Sequence, residues 1–181
     1  MGLGNRKGYF TAKTIALVGI AAATAECGKL ALSFLPNVEV VTLLFALYGY
    51  VFGLLGVASA VVFVAIEPLI YGFGPWIITY IIYWPLVATV FMLLGRAKLR
   101  SRWLMTGVAV LLTLFFGVLS SLIDVAVLMG FTKSFWSNLA LYYARGLVFY
   151  AVQIACNAVL FPILFEYLAR KLAIIKRRML R

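Results

Sequence analysis

The chain has no histidine, only five acids and only two cysteines in 181 residues, and charged residues make up just 12% of it. Histidine is the commonest general base and metal ligand. Its absence excludes a haem–histidine site, an HExxH zinc site and a Ser–His relay. Cys27 and Cys156 lie far apart, each inside an apolar run. Thiols so placed read as small packing residues rather than a disulfide or a metal pair, and no metal or cofactor is expected. The shortage of charge excludes most. A soluble domain has about a quarter of its residues charged, and half of that cannot build a water-facing surface.

What the chain has instead is apolar bulk, with 66% hydrophobic and 15% aromatic residues and a mean hydropathy of +1.11. That is the composition of an all-α integral membrane protein, in which each span needs about 20 apolar residues. Six transmembrane helices are predicted, over about 13–34, 39–55, 57–70, 76–94, 103–129 and 137–168. Leu35-Pro36-Asn37, the pair Gly53 and Gly56, and Gly72-Phe73-Gly74-Pro75 supply the turns between the first four. Pro85 inside the fourth predicts a kink. No repeat or linker divides the sequence, so residues 1–181 read as a single transmembrane domain. The first run has some signal-peptide character, but Glu26 stands directly before Cys27, where a lipoprotein cleavage site wants a small residue. A retained first span is expected.

Sixteen Lys and Arg against five Asp and Glu leave a net charge of +11, which in a soluble chain would suggest nucleic acid. The distribution points to a lipid bilayer instead. Arg6, Lys7 and Lys13 precede the first span; Arg96, Lys98, Arg100 and Arg102 share the loop between spans four and five. Arg170, Lys171, Lys176, Arg177, Arg178 and Arg181 close the chain. With six spans all three clusters fall on one face, and by the positive-inside rule both termini are cytoplasmic. The opposite loops hold only Lys133.

Ionisable residues within spans cost about 2.5 to 3.5 kcal/mol each at a helix centre and are functional candidates by default. They are Glu26, Lys29, Glu67, Asp124 and Arg145, with Glu39 at the mouth of span two. On this topology all six lie in the extracellular half, as an outward-opening pocket requires, while Glu166 pairs with the basic tail. Asp124 and Arg145 sit at depths of about 7 and 12 Å on consecutive helices, within range of a salt bridge or a shared ligand. Glu26 and Lys29 share a helix face. Mutual neutralisation within the bundle explains such charges equally well. Arg145, Phe149, Gln153 and Asn157 recur every fourth residue of span six, serving either as polar glue between helices or as ligand contacts. Trp76, Tyr80, Tyr83 and Trp84 form an aromatic stripe on span four. Its outer members suit the interface belt, whereas Tyr83 and Trp84 lie deep enough to pack or to stack on a flat ligand. Gly19, Ala23, Cys27 and Ala31, and separately Ala21 with Ala25, repeat at four-residue spacing on span one, a pattern that lets another helix approach closely.

Span one with Ala21-x-x-x-Ala25, then Leu35-Pro36-Asn37-Val38-Glu39-x-x-Thr42, then Gly72-Phe73-Gly74-Pro75-Trp76, resembles the S components of energy-coupling factor (ECF) transporters. These are six-helix vitamin-binding subunits of an ABC-type importer, and the resemblance runs from about Thr14 to Leu168. It implies high-affinity binding of a small-molecule vitamin, with a lean toward cobalamin-type members, in a pocket covered by the loops at 36–39 and 71–76. With the charges and stripes above, the expected substrate-binding residues are Asn37, Glu39, Glu67, Trp76, Tyr80, Trp84, Asp124, Arg145 and Gln153. The resemblance further implies that Ala21 and Ala25, with Gly19 and Ala23 alongside, dock a transmembrane T component bound to two ATPase subunits. No nucleotide site is then expected in this chain, and no GxxxxGK[ST] is present. The competing classes are a proton-coupled secondary transporter or exporter, for which Glu26 is the nearest acid to the midplane, and a membrane enzyme. The latter is restricted to Ser–Lys or acid-only chemistry, since no GxGD surrounds the transmembrane Asp.

Overall fold

Thr11 starts the first helix by exchanging hydrogen bonds with Thr14: its backbone N–H donates to the Thr14 hydroxyl (2.9 Å), and its own hydroxyl accepts from the Thr14 N–H (3.3 Å). This reciprocal cap satisfies donors that a helix start otherwise leaves open. The computed structural model describes residues 11–179; Arg6, Lys7 and Arg181, counted among the basic clusters, lie outside the described residues. The elements are α1 (Ala12–Ala31), α2 (Val41–Phe52), α3 (Leu54–Tyr71), α4 (Trp76–Arg96), α5 (Arg102–Leu128) and α6 (Phe135–Leu160). A π-helical turn (Phe161–Phe165) then leads into α7 (Glu166–Met179). Among the described residues there is no strand.

Five helical stretches are long and apolar enough to cross a membrane, and α2 is not one of them. Its twelve residues span about 18 Å at 1.5 Å per residue, well short of a bilayer core of about 30 Å. The predicted second span, 39–55, is cut at both ends. Gly53, at φ 66°, stops the helix in a left-handed conformation. At the other end the Glu39 carboxylate accepts the Thr42 N–H (2.9 Å).

Short as it is, α2 is the centre of the bundle. Ten of its twelve residues are buried, and it packs against α1, α3, α4 and α7. Missing side chains make this possible. A Cβ on Gly49 would lie 2.0 Å from the Ala88 carbonyl oxygen of α4, and one on Gly56 of α3 would lie 2.2 Å from the Tyr48 carbonyl. The backbones are in contact at both crossings, as small residues allow in membrane helices.

The α5–α6 hairpin behaves differently. The 97–101 connection joins the end of α4 to the start of α5 at one end of the bundle, and α5 has 27 residues against 21 in α4. It therefore runs about 9 Å further. Only Phe135 and Asn157 of α6 are buried. The two helices hold each other through Tyr150, whose ring fills the space beside Gly117 and whose hydroxyl lies 3.2 and 3.1 Å from those of Ser120 and Ser121.

The last helix also extends past its predicted end at 168. Pro162 falls in the π-helical turn, where Phe161 and Phe165 stack near Phe91 (ring centres 5.6 Å apart in each case). The basic tail then continues as α7, with Glu166 in its first turn and Lys176, Arg177 and Arg178 in its last, each favourable to the helix dipole. The expected pairing of Glu166 with the tail is present, to Arg170. Lys176 Nζ donates to the Val51 carbonyl (2.6 Å), tying α7 across the end of α2.

Candidate functional site

The column above the N-terminal end of α2 is where its missing length shows. A cavity of about 280 Å³ occupies it, lined by Val41 and Thr42 of α2, the 32–39 segment, Tyr71 of α3, an aromatic wall on α4, Thr113 and Phe116 of α5, and Gln153 of α6. Tyr83 marks its depth, seven residues into α4 or about 10 Å along the helix. The rings of Tyr80 and Tyr83 each pack edge-on to that of Trp84, at 5.5 and 4.9 Å. Phe116 lies 4.8 Å from Tyr83 and completes the wall.

Two polar networks border this space. In the first, Lys29 Nζ donates to both oxygens of Glu67 (2.7 and 2.5 Å), whose side chain is wholly buried. The ammonium also stands 3.8 Å from the Tyr71 ring centre and 5.6 Å from that of Tyr80, a cation–π geometry. The Tyr71 hydroxyl donates to Glu26 (2.8 Å). In the second, Asn157 Nδ2 donates to Glu39 Oε1 (2.7 Å) and to the Thr113 hydroxyl (3.1 Å), while the Cys156 thiol donates to the Glu39 carbonyl (3.1 Å). The charges that line the cavity thus already have protein partners.

Other polar atoms do not. Trp84 Nε1 and Gln153 Oε1 are buried with no hydrogen-bond partner among the described residues, and both residues line the cavity. Buried polar atoms are paired in the great majority of cases, so a donor and an acceptor left open on two residues that line one cavity mark it as the candidate ligand site.

Of the nine residues expected to bind ligand, Asn37, Glu39, Tyr80, Trp84 and Gln153 come together here. Trp76 packs edge-on to Tyr80 (5.1 Å) just outside, and Glu67 stands behind Lys29. Asp124 and Arg145 do not line the cavity. Nor do they form the expected bridge: the ion pairs among the described residues are Lys29–Glu67 and Glu166–Arg170. Arg145 is exposed, 6.0 Å from the Tyr142 ring centre. The reason is the overhang of the α5–α6 hairpin, which sets Asp124 eleven residues, or about 16 Å, beyond Thr113.

The docking face also needs correction. Ala21 and Ala25 are 5% and 0% exposed, turned into the bundle on the helix that packs against α3, so neither is free to meet another chain. Gly19 and Ala23 are exposed, and so is Cys27, which does not pack inside as expected.

Thr113 and Phe116 of the cavity were missed in the sequence. Thr106, Ala109, Thr113, Gly117 and Ser121 recur every three or four residues of α5 and all prove buried. That run of small and hydroxyl residues was the available signal for its inward face.

Fold and site together define a transmembrane-type all-helical bundle with a ligand-sized cavity over a short central helix. No protein-family model, curated protein or solved structure matches the chain.

Proposed function

We propose that the chain is the substrate-binding membrane subunit of an ECF-type importer, a multi-pass protein of the cell membrane with both termini cytoplasmic and the α2 cavity opening outward. It binds a vitamin-sized micronutrient and delivers it to a T component and two ATPases, in which ATP hydrolysis resides; it is not itself an enzyme. The observation that carries this reading is the cavity with the unpaired Trp84 Nε1 and Gln153 Oε1. Its size favours a small substrate. About 280 Å³ is at the lower end of ligand pockets and equals roughly nine waters of liquid volume, which argues against a corrin and so against the cobalamin-type lean. The aromatic wall favours a flat heterocycle with hydrogen-bonding edges, and with Lys29 already paired to Glu67 and Glu39 held only by Asn157 and the Thr42 N–H, the cavity disfavours an anionic one. On α1, the exposed Gly19 and Ala23 replace Ala21 and Ala25 as the face offered to the T component.

The test is purification from the native membrane. A T component, two ATPases and a small heterocyclic molecule detected by mass spectrometry are expected with the chain; a chain that purifies alone and empty would count against the reading. Cysteine labelling places the 97–101 loop on the inside if the topology is right. A proton-coupled secondary transporter is the second reading. The gathering of Glu26 and Glu67 around one lysine favours it. Uptake that survives ATP depletion but stops when the pH gradient is collapsed would establish it instead.

A further inference from the structure

The end of the bundle that carries the basic loop holds a second and larger cavity, of about 710 Å³. It lies between the C-terminal ends of α2 and α4, the 97–101 connection and α7. Lys98, Arg100, Arg102, Arg170, Lys176 and Arg177 bring six cations to it, against the single carboxylate of Glu166. Arg170 is paired with Glu166, and Lys176 is held by the Val51 carbonyl. None of the other four forms an ion pair among the described residues. Beneath these charges the lining is apolar, with Tyr50, Val51, Phe165, Ala169 and Ala173.

The positive-inside rule accounts for which face such residues occupy. It does not account for their convergence from two separate segments on one concavity. Lys171 and Arg178 belong to the same α7 and do not line it. Lys98 adds a second observation. The Leu99 N–H bonds to the Leu94 carbonyl (3.1 Å) and the Lys98 N–H to that of Gly95 (3.1 Å). This is the helix end that usually places glycine at the left-handed position. Lysine stands there at φ 55°, a conformation L side chains adopt at a cost, and the residue lines the cavity.

We propose that this cavity binds the phosphate headgroup of an anionic membrane lipid. Four cations without an ion pair among the described residues repel one another until an anion fills the space between them. Guanidinium forks match phosphate oxygens two at a time, and the apolar floor accepts the first carbons of the acyl chains. Basic pockets at membrane-helix ends recognise anionic headgroups on this principle. Inorganic phosphate shares the headgroup chemistry without the chains, so it serves as the competing source.

The test uses the full chain in nanodiscs of phosphatidylcholine with a minor fraction of phosphatidylglycerol, reading lipid retained after extraction by native mass spectrometry. Arg100→Gln with Arg177→Gln is compared with Lys171→Gln and Arg178→Gln, which remove the same charge outside the cavity. At about fivefold per cavity charge, the first pair is expected to lower phosphatidylglycerol retention by about 30-fold and the second by less than twofold. Lys98→Gly relieves the left-handed strain while removing a cation, so it should fold at least as well as the wild type and lose retention about fivefold. Equal losses in both double variants would reduce the effect to general surface potential and overturn the site. Saturable binding of inorganic phosphate in detergent, lost with Arg100 and Arg177 and without preference for phosphatidylglycerol, would overturn the lipid as its occupant.

Discussion

Helices α2 and α6 are both apolar, yet ten of the twelve residues of α2 are buried and only two of the 26 in α6. Inside a bilayer lipid tails are as apolar as leucine, so hydrophobicity does not drive helices together. Close backbone approach does. Glycines meet α2 from two sides, whereas α6 is held mainly along α5 through one tyrosine. The difference also locates the cavity. The tightly held helix is too short for its column and leaves a cavity above it, and the loosely held hairpin overhangs that cavity and carries charges that bind nothing in it.

The largest effect belongs to the tight side. Gly49→Leu would place its Cβ 2.0 Å from the Ala88 carbonyl oxygen, a backbone atom that has no rotamer to give way. Overpacking a rigid core costs about 1 to 3 kcal/mol where side chains can adjust, and here they cannot. The variant is expected to yield no monodisperse peak by size-exclusion chromatography. A well-behaved protein would mean that α2 and α4 are not in backbone contact.

Next in size is the ion pair. The Glu67 side chain is wholly buried, while that of Lys29 is 27% exposed beside the cavity, so the two single variants are unequal. Lys29→Met strands a buried carboxylate at about 3 to 5 kcal/mol. Glu67→Gln leaves an ammonium that can hydrate through the cavity and costs less. Thermal unfolding in detergent should rank them in that order, with Lys29→Met/Glu67→Met recovering most of the loss. If the double variant is no better than Lys29→Met, the pair is not what holds α1 to α3 at this depth.

Much of this comparison was legible in the sequence, and its gaps have physical causes. Five long helices followed from apolar run length, because a bilayer fixes the length a span must have. The shortening of α2 did not, since residues 38–40 are as apolar as the helix they precede apart from Glu39. The extension into α7 was hidden because its basic residues read as a solvated tail. Asn37, Glu39, Tyr80, Trp84 and Gln153, which line the cavity, could be singled out because polar and aromatic residues are conspicuous at that depth. Asp124 and Arg145 were misplaced because depth was counted from each helix's own end, and the hairpin overhangs its neighbours. Ala21 and Ala25 were misassigned for a different reason. Span one repeats small residues on two faces, and spacing alone does not say which face turns inward.

A smaller effect is expected at the cavity itself. Gln153→Met keeps the length of the side chain and removes an oxygen that has no protein partner. Stability should stay within about 0.5 kcal/mol, while affinity for the co-purified small molecule falls by up to about tenfold, the worth of one hydrogen bond. Calorimetry on the emptied protein measures this directly. Unchanged affinity would remove α6 from the binding site.

The smallest effect belongs to the overhanging hairpin and bears on whether its charges do anything together. Asp124 is half-buried on α5 and Arg145 exposed on α6, and no ion pair joins them. If they were coupled through the fold, removing one would strand the other, and the double change would recover the loss. With Arg145 open to its surroundings there is nothing to strand. Arg145→Ala and Asp124→Ala should each shift stability by about 0.5 kcal/mol or less, and the double variant should equal their sum within about 0.3 to 0.5 kcal/mol. Ligand affinity should be unchanged in all three, because Asp124 stands about 16 Å beyond the Thr113 edge of the cavity. A coupling energy above 1 kcal/mol in that cycle would bring the two residues into contact, and a loss of affinity would mean the hairpin folds over the cavity when ligand is bound.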